Sequence, residues 1–117
     1  MITIYHNPKC RKSRAGLQYL QEKGLEYTIV EYLKTPFTRE QFKDLLMKLN
    51  MRPEEIVRTQ EDEFKEQLKG KNFTGEEWIT ILLENPKLIQ RPIVVKNHKA
   101  VLAQPVEEID RLLGEVG

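Results

Sequence analysis

One cysteine, two histidines and no long apolar run are the shortages of this 117-residue chain, and each removes a class of function. A single thiol, Cys10, can close no internal disulfide and build no cysteine-based metal cage. His6 and His98 lie far apart in sequence, which argues against a zinc site or another resident metal. Nothing approaches the roughly 18 to 20 apolar residues that cross a bilayer, and the N-terminus lacks the basic stretch and apolar core of a secretory signal. An excess of one sign of charge is missing too. Nineteen basic residues against eighteen acidic ones leave a formal charge of +1, so there is no whole-molecule field for a nucleic acid or an anionic membrane. These absences predict a cytoplasmic protein that contacts neither directly. With 39% apolar and 32% charged residues, the composition is that of one compact domain.

What is present alternates strand and helix. Ile2-Thr3-Ile4-Tyr5 has the β-branched and aromatic make-up of a short strand, broken by Asn7-Pro8. A helix follows over 11–23, with Gly24 where a left-handed C-cap belongs, and a second strand runs over 27–32. Strand, helix and strand within about 30 residues read as a β-α-β unit with parallel strands. Thr38 with Gln41 and Thr74 with Glu77 are capping-box pairs. The first opens a helix with Phe42, Leu45, Leu46 and Leu49 on one face, and the second a helix with Trp78, Ile79, Leu82 and Leu83 inward, ended by Asn85-Pro86. Pro53 opens a shorter helix, and 60–71 reads as a solvated helix or loop. Two apolar strands, 92–96 and 99–103, flank a tight turn at Asn97-His98, and Pro105 takes the first position of a last helix carrying Val106, Ile109, Leu112 and Leu113. The order predicts an α/β, thioredoxin-like fold: a four-stranded mixed sheet flanked by helices, in one domain over 1–117 with a helical insertion at about 38–88.

Lys9-Cys10-Arg11-Lys12-Ser13-Arg14 puts four cations in six residues at a helix N-terminus. The helix dipole disfavours each of them there by a few tenths of a kcal/mol, about 0.3 or more, unless something negative is present. Either Cys10 is a thiolate, or an anion binds, or both. Orphan amides and cations lower a thiol pKa from about 8.5 into roughly the 3.5 to 7.5 range, where the thiolate is a nucleophile at neutral pH. Ser13 falls on the same helix face and can donate to the sulfur or to a bound anion. Cys-x-x-Ser is the monothiol version of the Cys-x-x-Cys redox motif, and its resolving thiol must come from another molecule. His6 either tunes the thiolate or is an ordinary polar residue. Farther on, Pro92 opens an apolar strand, where it removes a ladder donor and can take the cis isomer. Arg91 before it is either a surface cation or an oxyanion ligand.

Tyr5-His6-Asn7-Pro8-Lys9-Cys10-x-x-Ser13-Arg14, with Leu88-Ile89-Gln90-Arg91-Pro92-Ile93-Val94-Val95, resembles the glutaredoxin-coupled arsenate reductase family. The resemblance extends through Tyr32-Leu33-Lys34-Thr35-Pro36, Ile56-Val57-Arg58 and Gln104-Pro105. It implies a thioredoxin fold, catalytic roles for Cys10 and Ser13, substrate binding by Arg14, Arg58, Arg91 and Gln104, and a cis peptide before Pro92. Of the three arginines with which that family holds its oxyanion, two match Arg58 and Arg91, and the third falls on Gln104. Losing one arginine ligand weakens oxyanion binding by about 1.5 to 3 kcal/mol. Arg11 and Lys12 stand where small residues are common, and could replace part of that charge. The implied function is a thiol-dependent arsenate reductase with glutathione as co-substrate, a glutaredoxin-type protein as partner and no tightly bound cofactor. The alternatives are a monothiol oxidoreductase acting on glutathione mixed disulfides, and an Spx-like regulator that binds RNA polymerase. The second is disfavoured by Ser13, which stands where such regulators carry a second cysteine.

Overall fold

The computed structural model describes residues 1–113, which form two compact units: residues 1–35 with 91 onward, and residues 36–90. In the first unit the alternating apolar residues of Ile2–Tyr5 (β1) bury Ile2 and Ile4, which fixes that strand at the centre of a sheet. Tyr27–Val30 (β2) pairs with it in parallel, Ile2 opposite Tyr27. Ile93–Lys96 (β3) pairs antiparallel on its other side, and Lys99–Leu102 (β4) closes a hairpin on β3. The order β2-β1-β3-β4 is the mixed four-stranded sheet expected from the sequence. Asn97 turns the hairpin with φ 58°, and Gly24 ends the first helix with φ +69°, both in the left-handed region.

Arg11–Glu22 (α1) supplies Leu20 to a core that also holds Ile2, Ile4, Val94, Ala103, Ile109 and Leu112. Burying each large aliphatic side chain there stabilises the unit by about 1.5 to 3 kcal/mol. The chain closes on this core with a 3-10 turn, Val106–Ile109, that runs into the short α4, Asp110–Leu113. Two expectations are corrected here. β2 stops at Val30 instead of reaching Tyr32, because the Glu31 carbonyl accepts the N–H groups of Lys34 and Thr35, both at 2.9 Å, and turns the chain. Pro105 stands outside the last helix as its N-cap, with its carbonyl accepting from Glu108 N–H at 3.0 Å, and the helix starts as a 3-10 turn.

The second unit spans the stretch where the sequence places its inserted helices. Arg39–Leu49 (α2) and Gly75–Glu84 (α3) both begin with the reciprocal capping box expected from Thr38/Gln41 and Thr74/Glu77. They pack together through Phe42, Leu45 and Leu46 of α2 and Trp78, Ile79 and Leu82 of α3, while Leu49 and Leu83 are only half-buried. Pro53–Ile56 is a 3-10 helix, and Phe64–Leu68 is a single π-helical turn within the charged stretch. Val57 and Ile89 form an antiparallel bridge, framed by Arg58 N–H on Leu88 O (2.7 Å) and Gln90 N–H on Ile56 O (2.8 Å). Among the described residues no helix is long and apolar enough to cross a membrane.

Gly16 lies midway along α1, and a methyl group on it would sit 2.6 Å from Cγ of Pro92. The absence of a side chain therefore sets how closely α1 approaches the start of β3. Gly16→Ala normally stabilises a helix interior by about 1 kcal/mol, but overpacking against a rigid ring costs about 1 to 3 kcal/mol. We expect a net loss of stability in chemical denaturation; a more stable Gly16→Ala protein would contradict this packing.

Candidate active site

The loop between β1 and α1 places the thiol. His6 N–H donates to the Val30 carbonyl at 2.9 Å and extends the pairing of β1 with β2 by one bond. Asn7 then turns the chain: its Oδ1 accepts from Lys9 N–H and its carbonyl from Cys10 N–H, both at 3.0 Å. Cys10 arrives as the extended N-cap of α1, and its own carbonyl accepts from Arg14 N–H at 3.0 Å. The sulfur is half-buried over the first-turn amides, with no acidic residue in that turn.

Opposing influences act on this thiol. Burial pushes it up, since a thiolate loses solvation. Against that stand the Ser13 N–H, the Arg91 guanidinium and the Lys12 N–H, which bond the sulfur, and the charge of Arg91. Together they win, and the thiol is held below its ordinary value. Arg91 is 7% exposed, so its attraction for the sulfur is little screened by water. It is therefore a buried cation at the thiol and not a surface one.

Ser13 serves the site differently from the sequence expectation. Its hydroxyl is fully buried, 2.7 Å from His6 Nδ1, and accepts from Asn7 N–H at 2.9 Å. The hydroxyl is thus committed to the loop, and the backbone N–H of Ser13 is what meets the sulfur. The reason is geometric: the chain returns from β1 directly over the first turn of α1, and the hydroxyl satisfies polar groups that would otherwise be buried without partners. Burial, opposed by Glu31, holds the His6 imidazole below its usual range. A neutral ring with its proton on Nε2 leaves Nδ1 to accept from Ser13, the tautomer we assign.

The remaining candidates fall in separate places. Arg14 donates from Nη1 to the Pro8 carbonyl at 3.0 Å, latching the loop to α1. The Arg91–Pro92 and Gln104–Pro105 peptide bonds are both cis. Gln104 Nε2 donates to the Arg91 carbonyl, and its Oε1 accepts from Lys12 Nζ at 3.4 Å. Arg58 belongs to the second unit, where its Nη1 pairs with Glu61 at 3.1 Å. The sequence does not announce the link from Lys12 through Gln104 to Arg91, since Lys12 and Gln104 lie 92 positions apart. Among the described residues no three His, Cys, Asp or Glu side chains converge to hold a metal ion.

Comparison with known proteins follows the same residues. The sequence profile of the ArsC family matches residues 5–112. The chain is 42% identical over 115 residues to the uncharacterized protein YfgD of Escherichia coli, covering 97% of each. It is 37% identical over 114 residues to an arsenate reductase of Neisseria meningitidis, covering 96% of this chain and 97% of the other. Its fold matches that of an arsenate reductase from Vibrio cholerae with a TM-score of 0.89 at 35% identity, over 96% of this chain and 97% of that one. A match that runs from the strand before Cys10 to the last helix, on a sheet of the same design, means that this chain belongs to the ArsC family.

Proposed function

We propose that the protein is a thiol-dependent reductase of arsenate or a similar oxyanion, with Cys10 as nucleophile. The observation that carries this is a thiol at a helix N-terminus, held below its ordinary value beside the buried Arg91. The Cys10 thiolate attacks the arsenic, an S–As bond forms as one As–O bond breaks, and that oxygen takes a proton from solvent and leaves as water. Arg91 and the first-turn amides take up the negative charge of the oxyanion. A glutathione thiolate then attacks the Cys10 sulfur. An S–S bond forms as the S–As bond breaks, and its electron pair stays on arsenic, which passes from the pentavalent to the trivalent state. A glutaredoxin-type protein reduces the mixed disulfide and restores Cys10. The second thiol is borrowed because the chain holds one cysteine. ArsC-family relatives that carry the name arsenate reductase support the reading of an enzyme.

A second reading has one observation in its favour. Gln104, where the family resemblance sets a third arginine, bonds Arg91 and Lys12, which leaves the site one guanidinium short. The same thiolate could exchange with a glutathione mixed disulfide, a reaction that needs no oxyanion ligand. Comparing turnover of arsenate with turnover of a mixed disulfide separates the two.

Three outcomes follow. Cys10→Ser should lower glutathione-dependent arsenate turnover at least about a thousandfold, and wild-type turnover no faster than this variant's would sink the proposal. Arg91→Leu should raise the ionisation midpoint of Cys10, read from its ultraviolet thiolate absorbance, by about one pH unit or more; an unchanged midpoint would remove Arg91 from the site. Ser13→Ala strands His6 Nδ1 and the Asn7 N–H, so it should destabilise the fold by about 1 to 3 kcal/mol while the N–H on the sulfur remains. A variant as stable as wild type in denaturant would contradict that role.

A further inference from the structure

The Gln104 side chain is engaged at both ends of its carboxamide, by the Arg91 carbonyl and by Lys12 Nζ. Next to it, Ala103 N–H donates to the Pro92 carbonyl at 2.9 Å, and the Gln104 N–H folds back on Leu102 O at 2.8 Å. Residues 103 and 104 are therefore joined to 91 and 92 by a main-chain bond at one residue and a side-chain bond at the next. The Arg91 guanidinium and the backbone N–H of Lys12 both favour the Cys10 thiolate. Gln104 thus links two residues, Arg91 and Lys12, that act on the same sulfur.

Arginine is a long side chain with many rotamers, and its direction depends on the main chain from which it springs. The carbonyl that Gln104 holds is the one attached to that main chain, and the bond is partly buried. The Lys12 contact is longer and exposed, so it is the weaker of the two. We propose that Gln104 is a positioning residue: by holding the Arg91 main chain, with Lys12 as its second partner, its carboxamide fixes the Arg91 guanidinium against the Cys10 sulfur. This rests on the reading of Cys10 as the reacting thiolate. It differs from the role implied by resemblance, in which position 104 touches the substrate.

Gln104→Leu keeps the size of the side chain and removes both bonds. In the full-length protein its Cys10 ionisation midpoint, read by ultraviolet thiolate absorbance without substrate, should rise by about half to one pH unit, a three- to tenfold drop in acid dissociation. In an Arg91→Leu background the same substitution should change the dissociation constant by less than about twofold, because the group through which it acts is gone. An unchanged midpoint in the single variant overturns the proposal, as does an equal rise in both backgrounds. A higher KM for arsenate with an unmoved midpoint also overturns it and makes Gln104 a direct ligand. If Gln104→Leu does not fold, Gln104→Asn, one methylene too short to reach both partners, gives the same comparison. The readout is ionisation of the free thiol, so a failure of arsenate turnover and a failure of this inference are separate results.

Discussion

The Arg91 guanidinium and the sulfur of Cys10 are the contact on which the first unit's arrangement converges. Each belongs to a different part of the chain, one to the start of the first helix and one to the lead into the third strand. A positive group in a nearly closed position costs solvation, and a thiolate beside it recovers part of that cost. The cationic run at the N-terminus of α1, unfavourable against the helix dipole by itself, becomes consistent once the N-cap carries negative charge. The sheet brings the two together: β1 lies between β2 and β3, so the chain leaving β1 and the chain entering β3 meet at one end.

Ser13 and Gly16 show how α1 is placed well enough for this contact to form. Ser13 ties the first turn to His6 and Asn7, and Gly16, one turn farther, lets the helix come down on Pro92. The residue that follows Arg91 is thus in contact with the helix that carries Cys10. Rigid support of this kind matters because a bond from a guanidinium to a sulfur is sensitive to displacements of a fraction of an ångström.

Much of this was legible in the sequence because it is local. Both capping boxes form from residues three apart, Gly24 and Asn97 adopt positive φ where the turn needs it, and the alternation in β1 fixes which side of the strand is buried. Cys10 at a cationic helix start is local too. The features that were not legible depend on tertiary contact. The Ser13 hydroxyl is taken by a strand end six and seven residues earlier, and a helix-face argument cannot see that strand. Lys12 and Gln104 are 92 positions apart. The end of β2 was missed because Tyr32 has the composition of a strand residue but is buried within a turn. Of the first-unit candidates, Ser13 and Arg91 act on the Cys10 sulfur, while Gln104 bonds the Arg91 carbonyl and Lys12, contacts that no local pattern announces.

The central claim is that the surroundings of Cys10 favour its thiolate more than burial opposes it, so that the thiol ionises below its ordinary value. The rate at which iodoacetamide alkylates the native protein, followed against pH, tests it most directly, since the chain has one cysteine and only the thiolate reacts. The account predicts a rate that rises through a midpoint below that of a free cysteine, and below that of the same chain unfolded. A rate still climbing through the ordinary thiol range, as in the unfolded chain, would contradict it.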